Sequence, residues 1–228
     1  MIKIGKPTDE ETGHTGRIVM KHHLIAVVAA ALGSIALAPS AQAANIVDEW
    51  ASVKAPPAPA LKPVTVDPKT TALLMLDFMK QNCGVRPRCM ATIPAVKKLL
   101  GESRAAKATV IYSKFGKTTW ADIVDKDLAP AAGESDVTSF ADKFLNTDLE
   151  KILKDKGIQT VIAVGTAANG AVLLTATGSA LRGINVVVPV DGLSSVDTYS
   201  EQISVWQLAN GPTFSQKVTL TKSDMIKF

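Results

Sequence analysis

The chain has 228 residues, of which 46% are hydrophobic and 20% charged, and its formal net charge is +4. This balance suits a folded domain rather than a disordered or fibrous chain. No basic stripe with interleaved aromatic residues is present, so the sequence argues against nucleic acid as a partner.

The first 43 residues have the order of a secretory signal. A basic segment, residues 21–23, precedes an apolar run over 24–37, and small residues then lead to an A-x-A site that ends at Ala43. The run is shorter than the roughly 20 residues that span a bilayer. We predict cleavage after Ala43 and a periplasmic or secreted protein that does not contact the membrane afterwards. A retained anchor is the alternative, and Met20 competes with Met1 as the start.

Cleavage at this site removes every histidine, because His14, His22 and His23 all precede it. The remaining 185 residues (228 minus 43) carry 21 basic and 18 acidic side chains. Without imidazole, Ser-His-Asp catalysis, Cys-His catalysis and histidine metal sites are excluded in the mature chain. We expect no metal and no cofactor.

Residues 44–69 are rich in alanine, proline and lysine, which predicts an extended surface arm. Trp50 and the alternation over 64–66 suggest that parts of this arm pack on the domain that follows. We assign that domain to residues 70–228.

Short apolar runs then alternate with helical patterns. Strands are predicted over 72–76, 108–112, 160–164, 185–190 and 217–220, and helices over 92–100, 147–156, 169–182 and 197–208. Continuous β-branched runs separated by helices indicate parallel strands covered on both faces. The predicted fold is therefore α/β, an open, doubly wound, mostly parallel sheet in a Rossmann-like three-layer arrangement.

Sheets of this kind bind ligands at the carboxyl ends of their strands, which selects Asp77, Ser113-Lys114, Gly165-Thr166 and Asp191. Asp77 ends a fully apolar strand and is the candidate catalytic acid or base. A helix cap or a salt-bridge partner is the alternative role for it. Lys114 is a candidate supporting cation or an exposed loop lysine.

Four stretches resemble the isochorismatase-like family, also called cysteine hydrolases, and the resemblance spans roughly residues 71–208. They are LLMLD at 73–77, LAPAAGE at 128–134, FLNTDL at 144–149 and GTAANGA at 165–171. The last lies where the family has G-V-A-T-D-V-C. Their order and spacing together make the resemblance specific, and it supports the α/β fold.

The resemblance implies a site in which a cysteine attacks, an aspartate moves its proton and a lysine supports both. A helix N-terminus stabilises a thiolate, and a buried carboxylate can serve as base. In this sequence Asp77 takes the aspartate position, Ala171 takes the cysteine position and Thr138 or Ser139 takes the lysine position. The chain is thus interpreted as a divergent member without the usual cysteine and lysine. Lys143, four or five residues later, and Ser139 are candidate supporting residues.

Further residues are expected to line the cleft beside Asp77. They are Phe78, Gly165, Thr166, Ala167, Asn169 and Ala171. Residues 165–168 form either an ordinary turn or one whose N–H groups bind an anion or a carbonyl oxygen. Asn169, which replaces the family's aspartate, is predicted to be an N-cap. Packing is the expected role of the aromatic residues Trp120, Tyr199 and Trp206.

The only two cysteines, Cys83 and Cys89, flank a short loop with glycine and proline. In an oxidising compartment this spacing favours a disulfide. The alternative is that Cys83 is a relocated nucleophile whose pKa is lowered by Arg86 or Arg88.

These observations predict an exported hydrolase of altered mechanism that acts on a small carbonyl, amide or enol-ether compound. The resemblance implies that members which hydrolyse isochorismate, a vinyl ether, dispense with the cysteine and use the aspartate as a general acid. The alternative is an inactive family member that binds small molecules or acts as an interaction protein, with the arm over 44–69 as a possible assembly element. The expected partners are a small-molecule substrate or ligand and, as a further possibility, other copies of the chain.

Overall fold

The computed structural model describes residues 44–228, so the predicted signal sequence lies outside the described residues. The described residues belong to two units, 44–53 and 54–228. The described part of the first contains a short helix, α1 (Ile46–Glu49), whose N-terminus is capped by the Asn45 side chain. Trp50, expected to pack, is 70% exposed. None of the helices within 44–228 has the length and apolar character that crossing a bilayer requires.

The second unit alternates strands and helices. Its strands are β1 (Val64–Thr65), β2 (Thr71–Leu76), β3 (Thr109–Lys114), β4 (Ser135–Thr138), β5 (Thr160–Thr166), β6 (Asn185–Pro189), β7 (Leu193–Ser194), β8 (Val218–Thr221) and β9 (Ile226–Lys227). Its helices are α2 (Pro87–Ala105), α3 (Leu149–Asp155), α4 (Leu173–Leu181) and α5 (Thr198–Asn210).

Six strands form one parallel sheet in the order β4-β3-β2-β5-β6-β8, and β7 adds to it by pairing with the end of β5. All six residues of β2 are buried, as expected for a central strand covered on both faces. β1 and β9 form a separate two-stranded parallel ladder, so residues 64 and 65 of the proline-rich arm are part of the folded unit.

Alternate side chains of the central strands enter two hydrophobic layers. One layer joins Leu74 and Ala163 to helices α3, α4 and α5, through side chains such as Leu153, Ala176 and Leu208. The other joins Leu73, Met75 and Val164 to helix α2, through Ile93, Val96 and Leu99. Helices therefore cover both faces of an open sheet, and the predicted fold class is confirmed.

The predicted elements correspond to observed ones, with differences at their ends. The helix predicted over 147–156 begins at Leu149, and Asp148 precedes it without a side-chain cap. The prediction omitted four strands, β1 and β9 of the small ladder and β4 and β7 of the main sheet. β4 lies at the sheet edge with mostly polar residues, and β7 has only two residues, so neither shows the apolar pattern of a buried strand.

Candidate active site at the carboxyl edge of the sheet

Asp77 lies directly after β2, between the ends of its two neighbouring strands. In the sheet register Leu76 pairs with Ser113 of β3 and with Gly165 of β5. Asp77 adopts a left-handed backbone conformation with φ 58°, which few residues other than glycine, asparagine and aspartate accept. Its carboxylate accepts a hydrogen bond from the Ser113 hydroxyl at 2.7 Å, and the residue is only 4% exposed.

Lys143 is the second charged group of the site, and it is completely buried. Its Nζ lies 2.7 Å from Asp77 Oδ2, donates to the Ser139 carbonyl oxygen at 2.9 Å and also donates to the Phe140 carbonyl oxygen. All three ammonium protons thus have acceptors, as a buried cation requires.

Packing of the next residue holds Lys143 in place. Phe144 is buried against Gly178 of α4, and the Arg182 guanidinium lies 4.0 Å from its ring centroid. The backbone N–H of Lys143 also donates to the Thr175 hydroxyl at 3.3 Å. The segment before α3 is therefore anchored on α4, and its lysine is directed towards β2.

The sequence assigned the lysine position to Thr138 or Ser139 and left open whether Lys143 reaches the aspartate. In the structure Lys143 makes this contact, although Thr138 and Ser139 occupy the positions assigned to the family's lysine. Ser139 contributes its carbonyl oxygen to the ammonium group, and its hydroxyl donates to the Asp142 carbonyl oxygen. The cation is supplied by a later position in the chain.

Burial dominates the electrostatics of this pair. Removal from water raises the pKa of Asp77 above its usual 3.8, although the Lys143 ammonium and the Ser113 hydroxyl act in the opposite direction. Burial likewise lowers the pKa of Lys143 below its usual 10.5, against the attraction of Asp77. The two shifts bring the proton affinities of the carboxylate and the amine closer together, which suits a pair that exchanges a proton with a third group.

Ala171 lies beyond the carboxyl end of β5, in a turn over Ala168–Val172 that leads into α4. It is 4% exposed and packs in the same hydrophobic layer as Leu76. Gly165 allows this close approach of β5 to β2, since a Cβ at that position would lie 2.2 Å from the Leu76 carbonyl oxygen. A methyl group therefore stands where the resemblance places the nucleophile.

The other predicted cleft residues divide between the site and its surroundings. Thr166 is buried at the end of β5, accepts from Arg86 Nη1 at 3.3 Å and donates to the Ser194 carbonyl oxygen at 3.2 Å. Ala167 directly precedes the turn that contains Ala171. Phe78 is buried on the opposite side of the sheet, among the side chains of the α2 layer.

Several sequence predictions need correction. Asn169 is not an N-cap, because it lies inside the turn and its side-chain oxygen accepts from the Ser195 hydroxyl at 2.8 Å. Lys114 is not a site cation, because it pairs with Asp136 and lies 4.9 Å from the Trp120 ring centroid. Tyr199 and Trp206 do not pack in the core, since they are 65% and 42% exposed.

Cys83 and Cys89 form a disulfide, and both residues are buried. The predicted bond is thereby confirmed, and the alternative of Cys83 as a relocated nucleophile is wrong because its sulfur is already bonded. Among residues 44–228, no group of three or more histidine, cysteine or acidic side chains converges as metal ligands do.

Sequence reasoning missed two contributors to this edge of the sheet. Ser113 was predicted only to end a strand. Its strand, β3, pairs with β2, and this neighbouring position was the one indication that Ser113 would contact Asp77. Arg86 was considered only as a neighbour of the cysteines, and nothing in its local sequence indicates the contact with Thr166, 80 residues later.

A cavity of about 330 Å³ lies at the opposite edge of the sheet, where residues such as Thr160 and Asn185 begin their strands. It is remote from Asp77 in the fold, so we place the chemistry at the carboxyl edge, where the titratable pair lies. Asp77 and Ala171 at the carboxyl edge are each only 4% exposed.

The fold and this site define an α/β domain with a buried acid–lysine pair at the carboxyl edge of a parallel sheet. The chain matches the Isochorismatase domain over residues 71–221 and belongs to the isochorismatase family of hydrolases.

Relatives agree with this assignment. The chain is 32% identical to the secreted isochorismatase effector Isc1 of Verticillium dahliae over 149 residues, which cover 59% of this chain and 78% of that protein. It is 36% identical to a nicotinamidase of Acinetobacter baylyi over 141 residues, covering 60% of this chain and 66% of that protein. An isochorismatase-like hydrolase from Alkaliphilus metalliredigens shares the fold, with a TM-score of 0.61, 23% identity, and coverage of 68% and 95% of the two chains.

Proposed function

We propose that this protein is an exported hydrolase that cleaves a small enol ether by acid catalysis, with Asp77 as the proton donor. The observation that carries the proposal is the buried Asp77–Lys143 pair beside a methyl group at position 171. The site has the groups for proton transfer and lacks, at the expected position, the group for covalent attack.

The reaction class follows from this difference. Amide hydrolysis through an acyl intermediate needs a nucleophile, and the alanine methyl group has no lone pair to supply one. Enol-ether hydrolysis needs a proton on the enol carbon first, which converts the ether to an oxocarbenium ion. Water then adds to this ion and releases its own proton, and the hemiketal collapses to a carbonyl compound and an alcohol.

In these steps the Asp77 carboxyl gives its proton to the enol carbon and later receives a proton from the added water. Asp77 is thereby restored, and the net reaction consumes one water molecule. The raised pKa of Asp77 keeps more of the carboxyl protonated than an exposed aspartate would be. Lys143 fixes the carboxyl orientation and stabilises the carboxylate that remains after the transfer. The Ser113 hydroxyl holds the second carboxyl oxygen.

Three observations support export. The first 43 residues have the pattern of a secretory signal, the disulfide is of a kind that persists in oxidising compartments, and one relative is named as a secreted effector.

The test compares wild type with Asp77→Asn on 2-methoxypropene and ethyl vinyl ether, with nicotinamide as an amide substrate. We expect enol-ether turnover to fall about 10²- to 10⁴-fold in the variant, the usual range for loss of a general acid. Asp136→Asn is the matched control, because that carboxylate lies in the edge strand β4 and pairs with Lys114 instead of Lys143. Equal residual activity in wild type and Asp77→Asn would refute the proposal.

A binding protein without turnover is the second candidate, and the methyl group at position 171, in place of a nucleophile, favours it. In that case ligands raise the melting temperature of the wild type while no enol ether or amide is consumed. Turnover that depends on Asp77 excludes this candidate.

A further inference from the structure

We propose that Arg86 is a specificity-determining residue of this site, and that it selects ligands that carry a carboxylate. This inference rests on the proposed function for the location of the ligand, at the carboxyl edge of the sheet. It adds a chemical requirement on the ligand and a residue that imposes it.

The four arginines of residues 44–228 differ in their partners. Three of them donate to glutamates: Arg88 to Glu201, Arg104 to Glu134 and Arg182 to Glu150. Within the same range Arg86 is the one whose guanidinium has no carboxylate partner, and its side chain donates to the neutral Thr166 hydroxyl. A guanidinium has five N–H donors in a planar fork, so most of its hydrogen-bonding capacity remains available.

The guanidinium of Arg86 contacts the end of β5, the strand that pairs with β2 directly before Asp77. Thr166 is the residue after Gly165, and Gly165 pairs with Leu76, the residue before Asp77. Neighbouring strands lie about 5 Å apart, so Arg86 reaches the same strand edge as Asp77, one strand away. Arg86 is partly exposed, whereas Asp77 and Thr166 are buried, and an incoming anion therefore meets the arginine first.

The disulfide fixes the backbone that carries this arginine. Arg86 lies inside the Cys83–Cys89 loop, its N–H donates to the Cys83 carbonyl oxygen at 2.9 Å, and its own carbonyl oxygen accepts from the Cys89 N–H at 3.0 Å. Both sulfurs are buried in the α2 layer. The side chain is thus presented from a constrained loop, which reduces the entropy lost when a ligand binds.

A second polar group at this edge has unused bonding capacity. Ser194 of β7 pairs with Thr166 in the sheet register and is completely buried, and its hydroxyl has no hydrogen-bond partner among the described residues. A buried hydroxyl without a partner costs free energy. The Arg86–Thr166–Ser194 side of the edge is therefore polar and incompletely bonded, whereas the ammonium of Lys143 is fully bonded.

A carboxylate is the ligand group that this arrangement fits. The ammonium of Lys143 already donates to Asp77 and to two carbonyl oxygens, so Arg86 supplies the cation whose donors remain available. A planar guanidinium binds a planar carboxylate through two parallel hydrogen bonds. A ligand held this way has its carboxylate on the β5 side of the edge and its reactive carbon towards Asp77.

The experiment measures binding of benzoate and benzamide, which match in size and differ in charge, by NMR titration of the oxidised protein. Neither probe is an enol ether, so the result does not depend on turnover. Wild type should bind benzoate more tightly than benzamide, and Arg86→Gln should weaken benzoate binding about tenfold while benzamide binding stays unchanged. Arg86→Lys keeps the positive charge and loses the planar pair of N–H donors. Its affinity for benzoate should therefore lie between those of wild type and Arg86→Gln.

Arg88→Gln is the control, because it removes the same charge two residues away from an arginine already paired with Glu201. It should leave the preference for benzoate intact. Equal binding of benzoate by wild type and Arg86→Gln, an equal loss in Arg88→Gln, or no binding of benzoate to wild type would each overturn the inference. If benzoate selectivity holds and Asp77→Asn has no effect on turnover, the proposed reaction is wrong while Arg86 keeps its role.

Discussion

The two sides of the site at the carboxyl edge differ in the reactive groups that they contain. On one side, the carboxylate of Asp77 is held by an ammonium group and a hydroxyl that come from distant parts of the chain. On the other side, the turn that leads into α4 carries a methyl group at position 171. Proton transfer and covalent attack are therefore separable in this fold, because they are supplied by different elements that meet only at the sheet edge.

This difference predicts that the two sides respond very differently to substitution. Lys143→Met leaves a buried carboxylate without its cation and should lower the free energy of unfolding at pH 7 by about 3–5 kcal/mol, measured by urea denaturation. The double variant Asp77→Asn with Lys143→Met removes both charges and should lose less than the sum of the two single variants.

Lys114→Met is the control for that measurement, because it breaks the more exposed pair with Asp136. Its cost should stay within about 1 kcal/mol. A cost for Lys143→Met as small as that of the control would show that the buried pair does not organise the site.

The nucleophile side can be tested by restoring a thiol. Ala171→Cys should create a thiol whose pKa is lowered by the turn that leads into α4 and by Lys143, the buried cation that bonds Asp77 at the same edge of the sheet. Alkylation by iodoacetamide at pH 7 should be about tenfold faster in Ala171→Cys than in the same variant with Lys143→Met. Equal rates in both would indicate that the cation acts only on Asp77.

The smallest expected effect is the pH dependence of stability that comes from Asp77. Because burial raises its pKa above 3.8, the folded state holds this proton more tightly than the unfolded chain does. The stabilisation is fully present below pH 3.8 and is lost as the pH rises through the raised value.

Urea denaturation of wild type and Asp77→Asn across pH 3 to 7 isolates this contribution. The stability of wild type relative to the variant should fall as the pH rises. A rise instead would mean that the attraction of Lys143 outweighs the burial of the carboxyl group.

The resemblance in four short stretches correctly indicated the family and the sheet. It also placed the aspartate and the alanine, since β2 and the turn after β5 are defined by local apolar patterns and glycine. The lysine could not be placed by counting residues. Lys143 reaches Asp77 because Phe144 packs against α4, and that packing depends on residues about 35 positions later. Counting along a loop does not reveal such contacts.

The sequence alone determined the alternation of strands and helices, the buried character of β2 and the absence of a thiol at position 171, because each depends on local composition. It also indicated the disulfide, since two cysteines six residues apart favour one in a chain with a predicted secretory signal. The tertiary structure decided which cation meets Asp77, which hydroxyl orients it and where Arg86 points. These contacts join residues 36 to 80 positions apart, and their geometry depends on how the strands and helices pack together.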